Sequence, residues 1–173
     1  MVYTILKPFL NLCFLNANPQ DLPASQVLLV MSLILYLVIS VALALPVYGL
    51  NVSLTQALLE IAMLIAYTWL ILVMTSHGER LTQTLSALAG TGVIFGFLAL
   101  PIIYSIYEAT GAGGVGNVWT LIAYLMIMGW LLVVYGHVFR NALSSGLFLG
   151  MLVSLGYIVI TSMIIESLFQ PRS

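Results

Sequence analysis

The sequence predicts an all-α integral membrane protein, with five transmembrane helices in a compact bundle. Hydrophobic residues make up 62% of the 173 residues and charged residues 5%, whereas soluble domains are about 25% charged. The hydrophobic residues form long runs, each close to the roughly 20 residues that an α-helix needs to cross a bilayer. The runs are Ser25–Leu45, Leu54–Ser76, Leu85–Tyr107, Trp119–Val138 and Leu147–Leu168. This composition cannot cover a water-soluble surface.

Residues 1–23 are predicted to form an N-terminal interfacial segment and a proline-rich connector. Apolar residues recur there at helical spacing: Val2, Ile5, Leu6, Phe9 and Leu12. The pattern is typical of a short amphipathic helix on the membrane surface, and an irregular tail is the alternative. The connector Asn18–Pro23 opposes a helix because of its prolines. Ser25 is the expected cap of the first span.

Residues 24–170 are predicted to form the five-helix transmembrane domain, and 171–173 a C-terminal tail. With five spans, Lys7, Arg80 and Arg140 lie on one side of the membrane and Arg172 on the other. The positive-inside rule therefore places the N-terminus in the cytoplasm and the C-terminus outside. We expect a multi-pass protein of a bacterial inner (cytoplasmic) membrane, in contact with membrane lipid.

Several function classes receive no support from the sequence. The net charge of −1 provides no basic patch for nucleic acid. His77, Glu79 and His137 do not follow a metal-ligand spacing, so we predict no metal and no cofactor. No serine or cysteine is framed by a motif that would pair it with a base. We therefore do not expect an enzyme.

Small residues share faces in three of the runs. Residues three, four or seven apart lie on one side of a helix, and small side chains there let two backbones approach closely in a membrane. The residues are Ala89, Gly92 and Gly96 in the third run, Gly129 and Gly136 in the fourth, and Gly146, Gly150 and Ser154 at the fifth. They are candidates for packing within the bundle or for docking a helix of another protein, and the spacing does not distinguish the two.

Glu60 is the ionisable residue that lies deepest in a predicted span. A carboxylate at that depth is costly and faces protein or water. Gln56 and Tyr67 lie on the same helical face, so the three form a polar stripe that we expect to point into the bundle. The stripe is either a proton or ligand site, or a hydrogen-bonded group that fixes helix packing. Pro101 is expected to kink the third span.

The overall plan resembles the Yip1-like membrane proteins. The resemblance rests on five spans with very short loops and on the stretch Trp119–Gly150, with Gly129, the Gly136-His137-Val138 entry to a turn, and Arg140. It implies a five-helix membrane fold with a cytoplasmic N-terminus. The long soluble N-terminal region and the acidic-Tyr-Gly-Pro motif of the eukaryotic members are absent. The chain is therefore more similar to small bacterial members, and no functional residue carries over.

Two functions remain in competition. The first is a non-enzymatic accessory, scaffold or assembly protein that binds other membrane proteins through its small-residue faces. The alternative is a small oligomeric transporter or channel that uses Glu60. Transporters commonly place several polar groups and broken helices at the midplane, and this sequence has one carboxylate and one proline there. The sequence therefore favours the accessory function, with other membrane proteins or a second copy of the chain as partner.

Overall fold

The computed structural model describes residues 2–111 and 117–169, which form six α-helices and no strand. The helices are α1 (Val2–Cys13), α2 (Gln26–Ala44), α3 (Leu50–Met74), α4 (Leu81–Gly111), α5 (Val118–Ala142) and α6 (Leu147–Phe169), with single 3₁₀ turns at Pro19–Asp21 and Gly78–Arg80. Helices α2 to α6 are long and apolar enough to cross a membrane. The predicted fold class, a multi-pass helical bundle, is confirmed.

The two ends of the bundle are named here after one residue each. The Arg80 end holds the chain segments 18–25, 75–80 and 143–146, and the Tyr48 end holds residues 45–49. Helices α2, α4 and α6 run from the Arg80 end toward the Tyr48 end, and α3 and α5 run back.

Helix α4 is the centre of the bundle. It contacts α1, α2, α3 and α5, and every residue from 84 to 92 is buried. This segment consists mainly of Thr, Ser, Ala and Gly, so its neighbours can approach on all sides. A helix without a polar face is expected to be buried in this way.

Helix α1 packs into the bundle through its apolar face. Leu12 is fully buried and Phe9 is 6% exposed. The Phe9 ring covers Gly90, where a Cβ atom would overlap the ring. The indole nitrogen of Trp130 donates a hydrogen bond to the carbonyl of Cys13, at 2.9 Å. Of the apolar residues predicted for the membrane surface, Phe9 and Leu12 are thus buried in the bundle, whereas Leu6 is exposed, as is Lys7.

Several helix ends are closed by local hydrogen bonds. Ser25 accepts a bond from the amide of Leu28 at 3.4 Å, which confirms the predicted cap. After α1, α3 and α5, a residue with positive φ (Leu15, Ser76 or Ser144) ends the helix. In each case the following amide reaches a carbonyl five residues back. This is a Schellman motif, in which glycine is the usual residue.

Polar side chains hold the N-terminal connector to the Arg80 end. His137 Nε2 donates to the carbonyl of Ala17 at 2.9 Å, and Gln20 Nε2 donates to the carbonyl of Asn141 at 2.7 Å. Gln83 Nε2 donates to the carbonyl of Leu22 at 2.8 Å. The bonds to Ala17 and Leu22 satisfy carbonyl groups of a segment that has little secondary structure of its own.

Arg80 closes the C-terminus of α5. Its Nη1 atom donates to the carbonyls of Asn141 and Ala142, at 3.3 and 3.0 Å, and to the hydroxyl of Ser144, at 2.7 Å. A cation at this position complements the negative end of the helix dipole. Its ion pair with Glu79 is long, at 4.0 Å, and exposed, and exposed pairs contribute little.

Helix α4 continues through Pro101, whose ring is exposed. Proline lacks an amide proton, so the carbonyl one turn earlier, at Phe97, loses its usual helical donor. The predicted kink at Pro101 stays a prediction.

Candidate functional site

Glu60 lies in the middle of α3, ten residues from its first residue, or about 15 Å along the axis at roughly 1.5 Å per residue. The amide nitrogen of Gln56 donates a hydrogen bond to Glu60 Oε1, at 3.1 Å. The amide oxygen of Gln56 is buried and finds no hydrogen-bond partner among the described atoms. The structure thus brings two of the predicted polar residues together and leaves an acceptor available beside the carboxylate.

Two cavities meet at Glu60. The first has a volume of about 380 Å³ and extends between α2, α3, α4 and α5 toward Tyr48. The second has a volume of about 620 Å³ and extends between α5 and α6. Volumes of this size are typical of pockets for small molecules. The central part of the bundle is therefore not filled by side chains.

Tyrosine side chains from three helices surround Glu60. Tyr36 of α2 and Tyr124 and Tyr135 of α5 line both cavities, and Tyr157 of α6 lines the second. Glu60 is close enough to Tyr36, Tyr135 and Tyr157 to interact with them electrostatically. The carboxylate therefore lies among aromatic rings and phenol groups.

An aromatic cluster forms the floor of this region, on the side of the Arg80 end. The ring of Tyr157 is 5.5 Å from that of Tyr67 and 6.1 Å from that of Tyr135, and Tyr67 meets Phe139 edge to face at 6.2 Å. The Tyr135 hydroxyl donates to the carbonyl of Leu88, at 3.1 Å. Such ring pairs stabilise a fold beyond their buried area.

Tyr67 occupies a different place from the other two residues of the predicted stripe. It lies seven residues beyond Glu60, about 10 Å further along α3, and its hydroxyl donates to the carbonyl of Val153, at 2.8 Å. Of the predicted polar residues, Gln56 and Glu60 line the first cavity. Tyr67 belongs to the aromatic floor.

The small residues of α4 lie against α2 and α5. A Cβ atom on Gly92 would be 2.7 Å from the ring of Tyr36 and 2.8 Å from the hydroxyl of Tyr135, and one on Gly96 would overlap Ile39. Ala89 is fully buried. This face of α4 is occupied by helices of the same chain.

The small residues of α5 and α6 divide into two groups. A Cβ atom on Gly150 would overlap the carbonyl of Gly136 and lie 2.8 Å from the amide nitrogen of Arg140, so the two backbones touch. Ser154 is fully buried, and its hydroxyl donates to the carbonyl of Leu132 at 3.3 Å. In contrast, a Cβ atom on Gly129 or Gly146 would meet no described atom within 4 Å.

Sequence reasoning did not assign the tyrosines to the site. One signal was present on α5, because Tyr124 and Tyr135 are eleven residues apart, which is close to three full helical turns. That spacing puts both on one face. It does not indicate that this face meets Glu60, since that depends on how α2, α3, α5 and α6 pack. Sequence reasoning also did not identify Gly90, which contacts the ring of Phe9.

Comparison with protein-family models, with curated proteins and with solved structures gives no match for this chain. The class of protein that the fold defines is a multi-pass helical membrane protein. Within that class the site is a carboxylate and a set of tyrosines that line two cavities between the helices.

Proposed function

We propose that the protein binds a small ligand, a proton or a cation, at Glu60 and moves it across the membrane. The observation that supports this is the meeting of two cavities at one intramembrane carboxylate. A carboxylate at membrane depth is expensive and marks an ion, proton or substrate site. The structural alternative, a glutamate retained for packing, would not require unfilled space on two sides of it.

We place the Arg80 end in the cytoplasm of a bacterium, because Arg80 and Arg140 lie at that end. The first cavity reaches Tyr48, so it faces the outside. The aromatic floor and the contact between Gly136 and Gly150 close the cytoplasmic side. This arrangement is one of the two states that alternating access requires.

The experiment is a flux assay in liposomes. Purified protein is reconstituted with a pH-sensitive dye inside, and a pH gradient is imposed. We expect wild-type protein to dissipate the gradient, and Glu60→Gln to lower the rate by about tenfold or more, because the substitution removes the ionisable group from the site. Glu166→Gln is the matched control, since Glu166 is exposed near the end of α6. Equal rates for wild type and Glu60→Gln, with both proteins monodisperse, would contradict the proposal.

A second candidate function is the accessory function favoured by the sequence. It is supported by Gly129 and Gly146, which have free space above them in the described structure and could admit a helix of a partner. Native mass spectrometry of gently extracted protein tests it. A stoichiometric foreign subunit that is lost in Gly129→Leu or Gly146→Leu supports the function, and retention of the subunit in both variants contradicts docking at these glycines.

A further inference from the structure

The carboxyl group of Glu60 has no cationic partner among the described residues. Across residues 2–111 and 117–169, the one ion pair is that of Arg80 with Glu79, at the Arg80 end. Glu60 is held instead by the amide of Gln56. An intramembrane carboxylate of this kind favours a positively charged ligand, because such a ligand supplies the missing counter-charge.

The walls around Glu60 suit an organic cation better than a metal ion. The faces of tyrosine rings carry partial negative charge and attract cations over short distances, and Tyr36, Tyr124 and Tyr135 line both cavities. Calcium and magnesium require six or more oxygen ligands. The described part of the chain contains no group of three His, Cys, Asp or Glu side chains that could hold a metal.

The second cavity reaches the surface between α5 and α6. Leu125 and Gly129 on α5, and Leu155 and Ser162 on α6, line this cavity and are themselves exposed. The two helices touch at Gly136 and Gly150, whereas a Cβ atom on Gly129, nearer the start of α5, would meet no described atom within 4 Å. We call the gap between these four residues the α5–α6 opening. It lies within the apolar spans, so it faces lipid rather than water.

We infer that the ligand of Glu60 is an organic cation with an apolar body, which reaches the carboxylate from the bilayer through the α5–α6 opening. The inference rests on the proposed function and names the ligand class of the same site. The apolar lining of the second cavity, which includes Met128, Leu132 and Ile158, accommodates the body. The rings and Glu60 accommodate the charge.

The first test is calorimetric binding to purified protein in detergent. Tetraphenylphosphonium is the probe, and triphenylphosphine oxide is a neutral compound of similar shape. We expect the cation to bind wild-type protein and to bind Glu60→Gln about tenfold more weakly or worse, because the counter-charge is lost. Glu60→Asp is expected to retain part of the affinity. The neutral compound is expected to bind weakly and equally to all three proteins.

The second test addresses the opening. A Cβ atom on Gly129, in the α5–α6 opening, or on Gly146, at the Arg80 end, would meet no described atom within 4 Å. Gly129→Leu therefore adds a side chain at the opening, and Gly146→Leu adds one away from it. We expect Gly129→Leu to slow association of the cation about tenfold in stopped-flow fluorescence, since association slows when access is restricted. Gly146→Leu should associate at the wild-type rate.

The outcomes separate the ligand class from the function. Equal affinity of the cation for wild type and Glu60→Gln, or equal affinity of the cation and the neutral compound, overturns the ligand class. A wild-type association rate in Gly129→Leu overturns the route. If proton flux in liposomes depends on Glu60 but the cation does not bind, the inference fails while the proposed function stands. If the cation binds at Glu60 and no flux depends on that residue, the site stands and transport fails.

Discussion

At the Arg80 end, the backbones of α5 and α6 touch at Gly136 and Gly150. Toward the Tyr48 end, Gly129 of α5 and Ser162 of α6 are exposed and line the second cavity. The closed part is built from small residues, and Arg80 and Gln83 there donate hydrogen bonds to backbone carbonyls. The open part is lined by tyrosines, and its carboxylate has no counter-charge among the described residues.

The difference shows how one bundle can combine a rigid part with a part that binds. Small residues allow close backbone contact, which provides dispersion energy and fixes the angle between two helices. On the same two helices, Tyr124, Tyr135 and Tyr157 line the second cavity, where space remains between the side chains. A protein with this division should lose stability when the closed end is altered and lose binding when the open end is altered.

The largest expected effect on stability is that of Gly150→Ala. The new methyl group would overlap the backbone carbonyl of Gly136, which cannot move aside as a flexible side chain could. Overpacking of this kind costs about 1–3 kcal/mol, so the Tm in detergent should fall. Gly129→Ala is the control, because its methyl group meets open space among described atoms, and alanine is the better helix former by about 0.5–1 kcal/mol. An unchanged Tm for Gly150→Ala would show that α5 and α6 are not in backbone contact.

Packing of α1 predicts slow labelling of Cys13. Burial raises the pKa of the Cys13 thiol from an ordinary value of 9.0 to about 11, and the thiolate is the reactive species. Because the thiolate fraction falls about tenfold for each unit of increase in pKa, maleimide should react about 100-fold more slowly at pH 7 than with the unfolded chain. The rate should rise with pH up to about 11 rather than level off near 9.

The same thiol gives the stability a defined pH dependence. The unfolded chain releases the proton at the ordinary pKa of 9.0, and the folded chain retains it to about 11, so stability should fall as pH rises across that window.

Gly90→Ala is the matched variant for the labelling of Cys13, because its methyl group would displace Phe9 and loosen α1. It should label faster than wild type. Labelling of folded wild-type protein that levels off near pH 9 would contradict the packing of α1.

The sequence predicts the spans of this fold well and their ends less well. The hydrophobic run that starts at Leu54 corresponds to a helix that starts at Leu50, and the run that starts at Leu85 to a helix that starts at Leu81. Hydrophobicity identifies the segment that lies in lipid. Helical hydrogen bonding continues past it into polar residues, which contribute no hydrophobic signal.

The candidate site was predicted in part. Glu60 and Gln56 are four residues apart on one helix, so their proximity follows from helical geometry alone. The approach of Tyr36, Tyr124 and Tyr157 depends on the packing of three further helices. Likewise, glycine spacing identified Gly150 and Gly129 by the same rule, although one contacts a backbone and the other faces open space.

Arg80→Ala should lower the free energy of unfolding by an intermediate amount. The guanidinium bonds to the last carbonyls of α5 and to Ser144. Bonds from a charged donor contribute about 1.5–3 kcal/mol when buried. Arg80 is partly exposed, so we expect a loss of about 1–2 kcal/mol, measured as a lower Tm. Arg140→Ala is the control, since Arg140 is exposed on the same end. Equal effects of the two substitutions would indicate that charge at this end matters and the bonds to α5 do not.

The smallest expected effect is a gain in stability for Ser76→Gly. Ser76 has a φ of 60°, and a side chain in this left-handed conformation costs about 1 kcal/mol relative to glycine. Glycine also makes the unfolded chain more flexible, which offsets part of the gain. The net increase should therefore be below about 1 kcal/mol and appear as a slightly higher Tm. Ser105→Gly, inside α4, is the matched control and should lower the Tm, because glycine opposes a helix interior by several tenths of a kcal/mol. If Ser76→Gly also lowered the Tm, the Schellman motif after α3 would not form in the membrane-embedded protein, and the closed end would be less ordered than its hydrogen bonds indicate.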